Sequence, residues 1–78
     1  MPRIPLLSGL EMIKFLSSYG AIVLRSKWSH RSLVRETAKK KHIIIVPDHK
    51  QLKLGTTKSI LRQAWLSDQD LIDYAHGV

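Results

Sequence analysis

The stretch AIVLRSKWSHRSLVRETAKKKHIIIVP, residues 21–47, decides the fold, because it holds three segments rich in Ile, Val and Leu separated by two short polar connections. Ala21 to Lys27 and His30 to Glu36 read as two strands joined by a tight connection near Trp28. In the second, the neighbours Leu33 and Val34 break strict alternation. Thr37 to Lys41 reads as a polar, basic loop. His42 to Val46 reads as a third strand, stopped at Pro47, which has no N–H to give to a ladder. Four consecutive branched residues, Ile43 to Val46, predict that this strand is covered on both faces or nearly so.

Upstream, Ser8 and Glu11 form a Ser-x-x-Glu capping box opening a helix, with Leu10, Ile13, Leu16 and Tyr19 at helical spacing, Met12 and Phe15 widening the stripe, and Gly20 as its C-cap. Downstream, Asp48 to Leu54 reads as a loop ending at Gly55. Thr56 or Thr57 then caps a helix to about Ala64, with Ile60 and Leu61 inward and Lys58 and Arg62 outward. A last short helix starts at Ser67, where Asp68 and Asp70 complement the helix dipole, and Gly77 ends it. The order is helix, three strands, then one or two helices. It predicts an α+β sandwich with a small antiparallel sheet covered on one face.

Seventy-eight residues, 44% of them hydrophobic, suit one small globular domain, residues 1–78. The absence of cysteine excludes disulfides, thiolate metal sites and thiol nucleophiles. Pro2 and Pro5 interrupt the N-terminal segment and charged Glu11 and Lys14 follow soon, so no signal peptide is expected there. No run near 20 apolar residues is available to cross a bilayer, and no membrane partner is expected. A cytoplasmic location is the expectation.

The charge is unevenly placed. Of 13 Lys and Arg, 11 lie between Arg25 and Arg62, opposed only by Glu36 and Asp48, which leaves that stretch at +9 while the whole chain is at +7. Such a surface attracts polyanions, and counterion release makes a nucleic-acid backbone the commonest partner.

From Val46 the pattern becomes specific. Val46-Pro47-Asp48-His49, Leu52, Gly55-Thr56, Ser59-Ile60-Leu61-Arg62-Gln63-Ala64 and Leu66-Ser67 resemble the C-terminal half of the HicA family of small mRNA-cleaving toxins. Ser8-Gly9 with Glu11, Gly20, Arg25, Lys27 and Ser29-His30 resemble its N-terminal half, so the likeness runs from about Ile4 to Leu71. The resemblance implies a double-stranded RNA-binding-domain-like fold and a toxin role in a type II toxin–antitoxin pair. It also implies metal-independent cleavage of mRNA by one catalytic histidine, here His30, a HicB-like antitoxin as partner, and no cofactor. In two places the chain departs from the family. Trp28 and Trp65 stand where glycine is usual, and glycine at such sites permits positive φ or close backbone approach. If the turn before His30 needs that geometry, a tryptophan displaces the histidine.

Histidine suits RNA cleavage because its ordinary pKa of about 6.5 leaves a neutral fraction able to take a proton from the 2′-hydroxyl. Lys27 and Arg31 flank His30 and read as stabilisers of phosphate charge, with Arg25 beside them and Ser29 as an orienting or phosphate-binding hydroxyl. Lys39, Lys40 and Lys41 read either as a solvated loop or as phosphate contacts, and Lys50, Lys53, Lys58 and Arg62 divide in the same way. His42 reads as a polar residue at a strand edge, and His49 as a structural residue of the Pro-Asp-His turn. Joined with Asp48, the three histidines show no recognised metal-ligand spacing. Trp65 reads as packing between the C-terminal helices or against an antitoxin, and Trp28 as a residue able to stack on a base. The alternatives to a nuclease are a non-catalytic RNA-binding module of the same fold and a basic face that docks an acidic protein.

Overall fold

The computed structural model describes residues 3–77. In chain order, α1 (Gly9–Ser18) is followed by β1 (Ile22–Lys27), β2 (His30–Glu36) and β3 (Lys41–Pro47), then by α2 (Leu54–Ala64) and α3 (Asp68–Ala75). The strands make one antiparallel sheet in the order β1-β2-β3. This α-β-β-β-α-α order is the expected α+β, double-stranded RNA-binding-domain-like fold. Pro2, read above as interrupting the N-terminal segment, lies outside the described residues. Among the described residues no helix is long and apolar enough to cross a membrane.

The first helix begins where its capping box places it. The Ser8 N–H donates to Glu11 Oε1 at 2.9 Å and the Glu11 N–H donates to Ser8 Oγ at 3.1 Å. The C-cap is Tyr19, one residue earlier than expected, and Gly20 follows it at φ 90°. Hydrogen bonds from the Ser8 backbone and then its side chain hold the Glu11 carboxyl below its ordinary pKa of 4.5. A depressed folded-state pKa gives stability that is complete above the ordinary value and lost as pH falls through the folded one. Urea unfolding of wild type and Glu11→Ala should therefore differ most near pH 6 and converge as the pH drops well below 4.5.

The buried stripe of α1 is rotated from the expected one. Gly9, Met12, Phe15 and Leu16 face the core, whereas Leu10 is exposed and Tyr19 lies at the margin. Met12, Phe15 and Leu16 join Leu33, Ile44, Val46, Leu52, Ile60, Leu61, Ala64 and Leu71 in one core cluster. No β1 residue belongs to it. Phe15 meets Tyr74 of α3 edge-on, with ring centroids 5.2 Å apart.

The prediction that β3 is covered on both faces is wrong. His42, Ile44 and Val46 are buried against the helices, while Ile43 and Ile45 are 53% and 40% exposed. The helices pack on one side of the sheet only, so the run of branched residues lines a core on one face and an open surface on the other. Along the outer edge of β3, the Ile45 N–H donates to Gln63 Oε1 of α2 at 2.9 Å.

Neither Thr56 nor Thr57 caps α2. Lys53 is its N-cap, without a side-chain hydrogen bond, and Gly55 falls inside the first turn. The anchored residue just before it explains this start: Leu52 is fully buried and its N–H donates to the Leu7 carbonyl at 2.8 Å. Thr57 lies on the buried face instead, its hydroxyl without a hydrogen-bond partner among the described residues. For α3, Ser67 is the N-cap, at the expected start, and the structure adds a reciprocal capping box with Asp70, which the sequence marks only as a dipole partner; Gly77 follows the C-cap His76 at φ 73°.

His42 is not a passive edge residue. It is 94% buried in register with Arg35, and its ring stacks on that of Trp65 at 5.6 Å and 21°. Trp65 is thus held by His42 rather than between the C-terminal helices, and stays 66% exposed as the left-handed C-cap of α2, at φ 59°.

Candidate active site

Two irregularities in the β1–β2 hairpin decide what surrounds His30. Val23 pairs with Leu33 and Arg25 with Ser32, which leaves Leu24 as an extra, unpaired residue in β1. Strict alternation from Ile22 would turn Arg25 and Lys27 towards the helices. The bulge reverses the phase and places both on the open face of the sheet. There Lys27 lies directly across from His30 and Arg25 across from Ser32. Pro47 of β3 flanks His30 on its other side. The result is a small basic array, Arg25, Lys27 and His30, around an exposed imidazole at the end of the central strand.

Trp28 forms the second irregularity. It occupies the first position of the two-residue connection and adopts the left-handed region itself, at φ 56°. The turn geometry that glycine would supply is therefore kept, and Lys27 remains paired with His30. The expectation that a tryptophan displaces the histidine is not met. Left-handed backbone costs a residue with a Cβ about 1–2 kcal/mol, and Trp28 is 91% exposed, so little packing offsets that cost. Trp28→Gly is expected to raise stability by roughly 1 kcal/mol, read as a higher urea midpoint at unchanged slope. Trp65→Gly should gain less, because it forfeits the ring contact with His42.

The hairpin is strapped to the rest of the molecule by the Pro-Asp-His turn. The Asp48 N–H donates to the Ser29 carbonyl at 2.7 Å, and the Gly9 N–H donates to the His49 carbonyl at 2.9 Å. His49 thus acts through its backbone, and its side chain is exposed. Gly9 is required sterically. A Cβ at this position would overlap the Pro47 carbonyl oxygen, a backbone atom that cannot swing away. Gly9→Ala should cost about 1–3 kcal/mol by overpacking, measurable by thermal denaturation, and should loosen the turn that braces His30.

Not every residue singled out by sequence belongs to this array. Arg31 shares the helix-facing side of β2 with Leu33, opposite to His30. Its Nη1 lies 3.3 Å from Asp48 Oδ1 as an ion pair without the alignment of a hydrogen bond. Arg31 therefore braces the turn and does not stand beside His30. Lys41 lies across from Glu36 at the far end of the sheet and Lys39 and Lys40 in the loop beyond it; six strand steps at ~3.3 Å put them about 20 Å from His30. They are exposed, and Lys41 pairs with Glu36 at 3.8 Å. Ser29 is in the connection, its carbonyl engaged by Asp48. Lys58 pairs with Asp68 at 3.5 Å across α2 and α3. Ser32, which sequence reasoning passed over, shares the open face two residues from His30; simple alternation along β2 is the signal that finds it.

Among the described residues no group of three or more His, Asp or Glu side chains is placed to hold a metal ion. His42, buried on the opposite face, does not meet His30. A family profile described as the HicA toxin of bacterial toxin–antitoxin systems matches residues 9–66, which span α1, the whole sheet, the Pro-Asp-His turn and α2. Comparison with curated proteins gave no match, and neither did comparison with solved structures. With the profile covering all the elements that hold His30 in place, the chain belongs to the HicA toxin family of bacterial toxin–antitoxin systems.

Proposed function

We propose that this toxin, a single HicA-like domain over residues 1–78, is an endoribonuclease of the mRNA interferase type that acts in the cytoplasm, with His30 as its catalytic residue. The observation that supports this reading best is the bulge at Leu24, which gathers Lys27 and Arg25 around an exposed His30. The chemistry needs little more. Neutral His30 accepts the proton of the RNA 2′-hydroxyl as the oxygen attacks the adjacent phosphorus. The O2′–P bond forms and the P–O5′ bond breaks, giving a 2′,3′-cyclic phosphate. The 5′-oxygen leaves as a hydroxyl after taking a proton from protonated His30 or water. Lys27 and Arg25 offset the charge that gathers on the phosphate oxygens. No metal or cofactor enters any step. Lys39, Lys40 and Lys41, remote from His30, bind backbone phosphates further along the strand.

A HicB-like antitoxin is the proposed protein partner. Ile22, Ile43 and Ile45 leave an apolar surface on the open face next to the basic array, suited to a partner that covers both. The test of the nuclease reading is incubation of the purified chain with a labelled, structured mRNA, with and without EDTA. Cleavage that EDTA does not suppress supports it. Salt-sensitive binding without cleavage would leave a non-catalytic RNA-binding module.

A further inference from the structure

Among the described residues Trp28 is the most exposed of the large hydrophobics, at 91%, and it also sits in the left-handed region at φ 56°. Both features work against the folded state. Trp65, the other left-handed tryptophan, recovers part of its cost by stacking on His42. The Trp28 indole has only the Lys27 ammonium over one ring face, 4.9 Å from the centroid. It thus presents an open aromatic face, two residues from His30, within a cluster of positive charge.

We infer that Trp28 is a stacking platform for an unpaired nucleobase beside the phosphate attacked at His30, and that the substrate at the cut is single-stranded RNA. This inference rests on the ribonuclease reading above. Every base offers a π-face, so an aromatic platform binds without much sequence preference, while nearby cations hold the backbone. Bases inside a duplex are already stacked on one another and do not reach such a platform. The fold type alone would point to duplex RNA, and Trp28 points to loops, bulges or ends instead. Lys27 serves both partners, lying across from His30 in the sheet and over the Trp28 ring.

The test uses the full chain with Trp65→Phe, so that Trp28 is the sole tryptophan and is excited selectively over Tyr19 and Tyr74, and 2′-O-methyl oligonucleotides, which bind but lack the nucleophile. The single strand should quench Trp28 fluorescence, and a duplex of the same sequence should not at equal concentration. Trp28→Gly should weaken single-strand binding roughly 5- to 100-fold by anisotropy, and Trp28→Phe should keep most of it. Circular dichroism checks that each variant is folded. Single-strand binding that depends on Trp28, in a protein that never cleaves RNA, would support the stacking platform but sink the nuclease reading and, with it, the placement of that platform at a cut. A folded Trp28→Gly that binds and cuts single strands as well as wild type would overturn the inference. So would a wild type that binds no RNA and loses affinity for an antitoxin protein when Trp28 is changed.

Discussion

Replacing His30 by alanine is expected to lower RNA cleavage by roughly 10²–10⁴-fold, the range for loss of one positioned acid–base group. The fold should be almost untouched. His30 is exposed at the first position of β2, outside the core cluster, so its truncation should move stability by no more than about 0.5 kcal/mol. The two readouts separate chemistry from folding: single-turnover cleavage should collapse while the urea midpoint stays in place. Lys27→Ala should act in the same direction but less strongly, since the Arg25 charge remains on that face. If His30→Ala cleaves at the wild-type rate, the imidazole is not the proton acceptor.

The second large effect concerns stability, and it falls on a residue that sequence reasoning did not single out. Arg35 points to the helix side of β2 and reaches the ends of two helices at once. Its Nε donates to the carbonyl of Tyr19, the C-cap of α1, at 3.2 Å, and its Nη1 donates to the carbonyl of Ala64, the last residue of α2, at 2.9 Å. Helix C-termini carry unsatisfied carbonyls and partial negative charge, so one guanidinium closes two helices and ties both to the sheet. Hydrogen bonds from a charged donor are worth ~1.5–3 kcal/mol each. Arg35→Ala should therefore cost about 2–4 kcal/mol, a large share of the ~4–12 kcal/mol usual for a chain of this length. Thermal denaturation should show a drop of roughly 10 °C or more. Arg35→Lys should recover only part, because a single ammonium does not reproduce a planar fork aimed at two acceptors.

The contrast between these two residues shows what a one-dimensional reading reaches. Capping chemistry is local, so Ser8 with Glu11 marks the start of α1 from a three-residue spacing alone, and Ser67 with the acidic residues after it marks the start of α3. The tight connection at Trp28 is equally local. Sidedness within the sheet is not. Ile22, Val23 and Leu24 are all apolar, so nothing in their order signals the extra residue that turns Arg25 and Lys27 to the open face. The same uniformity misled the reading of β3, where Ile43 and Ile45 face outward with residues no less branched than the buried Ile44 and Val46. Arg31 sits next to His30 in sequence and on the other face in space, as strand alternation requires. Arg35 gains its role from two helix ends 16 and 29 residues away. The basic residues at 39–41 belong to the same charge run as Lys27, and a strand length separates them from it.

The central claim is that His30 promotes attack by the RNA's own 2′-hydroxyl, and the chemical ends of the products test it most directly. A labelled mRNA cleaved by the purified wild-type chain in EDTA should yield fragments with a 2′,3′-cyclic phosphate, or the monophosphate from its hydrolysis, upstream of the cut and a free 5′-hydroxyl downstream. Kinase labelling without prior phosphatase treatment reads the second end. Fragments with a 5′-phosphate and a free 3′-hydroxyl would contradict the account, since they require attack by water or another nucleophile from outside the strand.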